Sequence, residues 1–258
     1  MSVYALFHLG IRIDKPSSKF LRRIRNRYNK IAKDYDRGSE AWPAGRLAYE
    51  RKRQFMAYCL KKYGLMRQGA LLLDLGCGTG AYIPFLINGG LRVVGIDLSI
   101  NMLRIAKQKA PRAEFVLASM YDLPLRTDTF DALIAMGAIQ FHFSATHFGI
   151  HKPALLEIQR TAKKRAMVIF ELNNPIGPLY WRSFPSDILR IRKLAYPWSV
   201  IKFLASLRFK VIEVASCILI FFPIYGISLQ LKMENYAERI PILRFLGRFL
   251  LLCTAVCF

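Results

Sequence analysis

The sequence predicts an α/β protein with a mostly parallel sheet, and three observations carry that reading. Short apolar runs recur at residues 71–75, 91–97 and 129–137, each closed by a glycine or an acid. Runs of that length bounded by turn residues read as strands buried on both faces, as in parallel sheets covered by helices. The first run passes straight into Gly76-Cys77-Gly78-Thr79-Gly80, and an aspartate stands near the end of each of the first two, Asp74 and Asp97. Ligands of open α/β sheets bind at the carboxyl ends of the strands.

The glycine spacing narrows the ligand. Glycines at alternate positions let the chain turn tightly and approach a ligand with no Cβ in the way. A dinucleotide loop reads GxGxxG and opens a helix toward a pyrophosphate, whereas here the glycines fall at 76, 78 and 80 with Asp74 ahead of them. That pattern favours a nucleotide cofactor without a pyrophosphate and disfavours a nicotinamide dehydrogenase. Asp97 lies seventeen residues after Gly80, close to the roughly 20 that precede the acid gripping a ribose. Taken alone, residues 71–80 also suit an ordinary strand and glycine turn.

The 258 residues suffice for one large α/β domain with a sizeable core. Five cysteines, Cys59, Cys77, Cys217, Cys253 and Cys257, form no CxxC pair. Neither a disulfide framework nor a zinc site is read from them, no metal is expected, and a reducing cytoplasm fits best. Residues 2–11 have no preceding basic region or small-residue cleavage site, so no cleavable signal is expected there.

Charge is uneven. The formal net charge is +22, of which residues 1–70 carry +12 and residues 160–210 carry +9, while residues 71–159 are neutral. Positive flanks around a neutral cofactor half imply an anionic partner: RNA, a phospholipid surface or an acidic small molecule. In the N-terminal flank Phe20, Ile24, Tyr28, Ile31 and Tyr35 recur at helical spacing. Arg22, Arg23, Arg25, Arg27, Lys30 and Lys33 occupy the other faces, so an amphipathic helix laid over the domain is expected.

The apolar C-terminal part reads as sheet core. Residues 214–231 are eighteen uncharged positions, the lower edge of a spanning helix. However, Pro223 and Gly226 interrupt them, and β-branched and aromatic residues dominate the first half. Residues 249–258 are too short to span. A peripheral membrane contact through residues 218–225, helped by the basic segment 182–210, is the membrane reading that stays open.

Over about residues 28–258 the chain resembles the class I S-adenosylmethionine-dependent methyltransferases, on the glycine loop, Asp97, residues 118–125 and residues 129–137. The likeness is to the quinone-methyltransferase-like branch. It implies a Rossmann-like three-layer sandwich: a seven-stranded, mostly parallel sheet with an antiparallel last strand. It further implies a sixth strand from about residue 209, a helix over about 228–245 and the last strand over 248–257. A basic helical cap would span residues 1–68 and the cofactor domain residues 69–258, with an acceptor-site insertion at 175–210.

The resemblance also assigns roles. S-adenosylmethionine is the implied cofactor, its methionine part over Gly76, Cys77 and Gly78, with Asp74 and Gly80 also among the cofactor-binding residues and Asp97 on the ribose. Leu98 and Met102 would pack on the adenine, Ser119 stands where the family has an adenine-binding aspartate, and Met120 would offer a backbone donor. Met136 closes the fourth strand, which faces cofactor and acceptor. Tyr35 matches an aromatic of the cap helix that reaches the cofactor, although a packing role suits it as well. His142, with His147 and His151 nearby, is the candidate general base. Tyr28-Asn29-x-Ile31-Ala32 with Trp42-Pro43 also looks like the methyltransferases acting on a carboxymethyl group of the tRNA wobble uridine. The alternative outside enzymology is a non-catalytic protein of this fold that binds RNA or a membrane. The fifth strand lacks the family's glycine-rich entry: residues 161–166, Thr-Ala-Lys-Lys-Arg-Ala, must make the turn without glycine.

Overall fold

A computed structural model of the chain describes residues 15–40, 43–139, 148–173, 197–217, 229, 231–233, 239 and 249–257. Helix α1 (Ser18–Ile31) opens on Ser17, whose side chain accepts from the Phe20 N–H at 3.2 Å, satisfying one of the amides a helix start leaves unpaired. A 3₁₀ turn (Ala32–Asp34) leads into the short α2 (Tyr35–Glu40), and α3 (Pro43–Lys62) follows. The inner face of α3 buries Leu47, Ala48, Phe55, Met56, Cys59 and Leu60, a spacing that keeps apolar side chains on one helical stripe.

The remainder alternates strand and helix: β1 (Leu71–Leu75), α4 (Ile83–Asn88), β2 (Arg92–Asp97), α5 (Ile100–Lys109), β3 (Glu114–Leu117), β4 (Phe130–Ala135), α6 (Phe148–Thr161), β5 (Ala162–Asn173), α7 (Pro197–Ser206), β6 (Phe209–Cys217) and β7 (Phe249–Val256). The seven strands lie in the order β3-β2-β1-β4-β5-β7-β6. All neighbouring pairs are parallel except those of β7, which runs antiparallel to both β5 and β6. The expected sandwich is therefore the observed one. The first part of the apolar stretch after residue 209 is strand as expected, while residues 218–228 and most of 228–245 lie outside the described residues.

Alternation along the strands builds the two faces of the core. Leu73, Leu75, Ile96, Leu133, Val168 and Phe170 pack with Leu155 and Ile158 of α6 and Val200 and Leu204 of α7. Leu72, Val93, Ala132, Ile134, Met167 and Ile169 pack on the other side with Phe55 and Met56 of α3, Ile83 and Leu86 of α4 and Leu103 of α5. A side chain period of two sends neighbours to opposite layers. No helix among the described residues is long and apolar enough to cross a membrane.

At the amino ends of the central strands Asp131 accepts from the Leu71 N–H and from Lys163 Nζ, both at 2.9 Å. Burial alone would raise its pKa, but these two partners outweigh it and hold the carboxyl below its usual range. The glycine-free entry to β5 is made by a bulge: the register steps from Phe130↔Ala162 to Ala132↔Met167, and Arg165 takes φ +63°. A left-handed arginine carries a steric cost that glycine does not. Arg165→Gly is expected to stabilise the fold by roughly 0.5–1 kcal/mol in equilibrium denaturant unfolding; an unchanged or lower midpoint at equal slope contradicts the strain.

Candidate functional site

From β1 the chain moves outward through β2 to β3, then crosses back to lay β4 on the other side of β1. The strand order reverses there, and crevices at such reversals receive ligands. The loop after β1 occupies that place. Its three glycines have positive φ and do different work. A Cβ on Gly76 would lie 2.6 Å from Ala138 Cβ, and one on Gly80 would lie 3.0 Å from Ala106 Cβ, so both are demanded by packing. A Cβ on Gly78, at φ +55°, would meet nothing within 4 Å. Gly78 alone of the three faces open space, where a ligand can approach the backbone.

Asp97 fixes that exposed peptide. One carboxylate oxygen accepts from the Gly78 N–H at 3.0 Å and the other from the Ser99 N–H at 2.8 Å. Ser99 in turn caps α5, its Oγ accepting from the Met102 N–H at 3.2 Å. Burial raises the Asp97 pKa against the opposing pull of its backbone donors. Asp74 is fully enclosed; burial first, then the neighbouring Asp97 charge, push its carboxyl up to about 7. The Cys77 thiol is raised by the same causes, burial and then the two carboxylates. Its sulfur lies 2.9 Å from where a Cβ on Gly95 would stand, inside the core. The Cys77 side chain therefore packs inward, and only its backbone, held by Ile96 O at 2.9 Å, belongs to the loop.

Of the other expected site residues, Leu98 is half-buried and Met102 is 1 % exposed. Met120 reaches over the loop, its Cε 3.6 Å from where a Cβ on Gly76 would be. Ser119 closes a local turn instead: its Oγ accepts from the Tyr121 N–H at 3.3 Å and its carbonyl from the Asp122 N–H at 3.1 Å. Met136 packs against the α3 side of the core. Tyr35 is 41 % exposed and meets Tyr28 edge-on at 6.1 Å. Its pKa is raised by burial and Tyr28 first, with Lys52, Glu171 and Asp97 also acting on it. His142, His147 and residues 175–196 lie outside the described residues.

Four further residues, Asn29, Asp36, Lys52 and Glu171, make polar links around the loop. Asn29 on α1 accepts from Ser99 Oγ at 2.6 Å and from the Asn101 N–H at 3.3 Å, and its carbonyl accepts from Asn101 Nδ2 at 3.1 Å. Asp36 accepts from Thr79 Oγ1 at 2.6 Å and from Lys109 Nζ at 2.5 Å. The cap is thereby tied to the glycine loop and to both ends of α5. Lys52 and Glu171 form a buried ion pair at 2.7 Å, and Glu171 Oε2 would lie 3.7 Å from a Cβ on Gly137, just beyond β4. Each of these links joins residues far apart in the chain. The signal that could have found them is the polar residue itself, Asn29 and Asp36 beside aromatics and Glu171 at the end of an apolar strand.

Sheet order, loop and acid together define a Rossmann-like nucleotide-cofactor domain. Residues 72–164 match the methyltransferase domain family. A demethylmenaquinone methyltransferase of Paenarthrobacter aurescens is 30% identical over 130 residues, covering 48% of this chain and 47% of its own. A probable tRNA methyltransferase 9B of Homo sapiens is 33% identical over 122 residues, covering 47% and 23%. The chain thus spans about half the length of the first relative and less of the second. Among solved structures, the magnesium protoporphyrin IX methyltransferase of Synechocystis, with bound S-adenosylhomocysteine, superposes with a TM-score of 0.62 at 15% identity. That match covers 91% of this chain and 98% of the other; at that identity the likeness is one of fold. Residues 72–164 are thus a methyltransferase domain by family match, set in a fold shared with that S-adenosylhomocysteine-bound enzyme.

Two predictions come from the buried charges. Lys52→Met leaves the Glu171 carboxylate without its cation and should cost about 3 kcal/mol, whereas Lys52→Met with Glu171→Leu should recover most of the loss; equal destabilisation of single and double variants by denaturant melts rules this out. For Asp74, the unfolded carboxyl loses its proton near pH 4, while the folded one keeps it to about 7. The native state binds more protons between these values, so stability falls as pH rises from about 4 to about 7 and then levels. Asp74→Asn should flatten that descent; identical pH–stability curves for the two proteins would refute it.

Proposed function

We propose that the protein moves the methyl group of S-adenosylmethionine to an anionic acceptor. The observation that carries this reading is the Asp97 carboxylate clasping the Gly78 and Ser99 amides beside the open face of Gly78. In this reading the backbone of residues 76–80 holds the methionine part, Asp97 takes the ribose hydroxyls, and Leu98, Met102, Ser119 and Met120 frame the adenine. The chain's own residues fit that ligand: an open peptide in the loop, an acid fixed at the end of β2, and a methionine side chain over the crevice. When bound, the cofactor supplies a methyl group activated by a positively charged sulfur, which an oxygen, nitrogen or carbon nucleophile accepts by in-line attack.

On the acceptor side, Tyr35, Met136, Gly137 and the Lys52–Glu171 pair stand around the ends of β4 and β5. Alignment and exclusion of water are the main work such a transfer asks of a protein. The aromatic ring and the half-buried Met136 are suited to exclude water, and the ion pair is suited to orient a polar acceptor group. His142 is the base in this reading when the nucleophile arrives protonated. The positive flanks support an anionic acceptor, and the relatives whose names mention a quinone or tRNA mark lipid and RNA as the two classes to test.

Asp97→Ala should weaken S-adenosylhomocysteine binding by roughly 10- to 100-fold in calorimetry, the worth of one to two charge-assisted hydrogen bonds. A radiolabelled methyl-transfer assay against total RNA and against a lipid extract tests the acceptor. Label in either fraction, lost in Asp97→Ala, supports catalysis. Tight ligand binding with label in neither fraction favours a non-catalytic binding protein.

A further inference from the structure

The cap contains a surface that the methyl-transfer chemistry does not use. Residues 15–33 hold eight lysines and arginines and no acid. On α1 the apolar stripe faces inward: Leu21, Ile24 and Tyr28 are half-buried, and Leu21 packs on the core. Lys19, Arg22, Arg23, Asn26 and Lys30 are all exposed. At 3.6 residues per turn they fall in one row along the outward face, with Arg27 at its border, and the row runs roughly 16 Å from Lys19 to Lys30. None of these cations forms an ion pair with a described residue.

We propose that this row on α1 binds the phosphate backbone of RNA, and so identifies the class of anion that the methyltransferase reading leaves open; the proposal rests on that reading for its purpose. A row of exposed cations with no interleaved acid attracts a chain of phosphates, and arginine matches phosphate oxygens with two parallel donors. A membrane surface is the poorer match, because an interfacial helix must turn its apolar face to the lipid. Here that face is turned to the domain and half-buried there, and Phe20, at 40 %, is the one exposed large apolar side chain of α1.

The position of the helix gives the contact its use. Through Asn29, α1 is bonded to Ser99 and Asn101 at the start of α5, next to the acid that fixes the glycine loop. RNA lying along the row passes beside the crevice, and a nucleotide projecting from it is presented to the acceptor side.

The test uses the full chain, a fluorescein-labelled tRNA transcript and a 20-nucleotide single strand, with binding followed by anisotropy across a salt series. One variant replaces Lys19, Arg22, Arg23 and Lys30 by glutamine. A control replaces four exposed cations elsewhere, Lys61, Arg67, Lys164 and Lys210. The α1 variant should bind RNA at least tenfold more weakly than wild type at moderate salt, with the slope of log K against log salt reduced by roughly three, about 0.7–0.9 per lost contact. The control should stay within a few-fold of wild type. Unchanged S-adenosylhomocysteine affinity and melting temperature in the α1 variant show that fold and crevice are intact. Equal losses in variant and control overturn the proposal, as does binding to phosphatidylglycerol-containing vesicles but not to RNA. Failure of wild type to bind S-adenosylhomocysteine refutes the cofactor reading separately, since the anisotropy series is read without it.

Discussion

The structure depends on one carboxylate. Asp97 ends β2 and accepts from two peptide N–H groups, Gly78 in the loop after β1 and Ser99 at the start of α5. Two adjacent strand–helix units are locked together by that clasp. Without an acceptor at this place the peptide of Gly78, the glycine that faces the crevice, would lose its hold, and α5 would lose the alignment of its cap. Because Ser99 also donates to Asn29, the same clasp carries the N-terminal helix. Loop, sheet, helix and cap therefore share one electrostatic anchor, buried enough for each hydrogen bond to be strong.

Much of this was legible in the chain because it is local. Apolar runs closed by glycine or acid located β1, β2 and β4, and the spacing from Gly80 to Asp97 placed the acid. Helical periodicity found α1 with its basic face. The division of labour among the glycines was not legible, since Ala138 and Ala106, which demand Gly76 and Gly80, are distant in sequence. Cys77 looked like part of a ligand loop and proves to be core on its side-chain side. The Asp36–Thr79 and Lys52–Glu171 contacts arise from tertiary packing, which no periodicity encodes. The entry to β5 shows the same limit in reverse: the missing glycine was visible, but its replacement by a left-handed Arg165 within a bulge was a matter of backbone geometry.

Charge is sorted by depth. Among the described residues the buried carboxyls Asp74 and Glu171, with the half-buried Asp97 and Lys52 beside them, lie toward the carboxyl ends of the strands, where they are costly to hold and chemically useful. The cations of α1, Lys19, Arg22, Arg23, Arg25, Arg27 and Lys30, lie outside on the cap. Fields from such an arrangement draw an anion toward the molecule over long range, while the short-range work at the crevice is done by a locally neutral segment. In the proposed reading, recognition and chemistry fall to different parts of the chain, joined through Asn29 and Asp36.

The last strand has a consequence in time. β7 lies between β5 and β6 and pairs antiparallel with both, yet it is the last of the seven to leave the ribosome. Until residues 249–256 have been made, β5 presents an open apolar edge and β6 has no neighbour, and such edges invite pairing with other chains. The cofactor half, with β1 to β4 already in register, can be assembled by then. Pairing of the sheet's second half therefore waits on β7, the last of the seven strands in chain order.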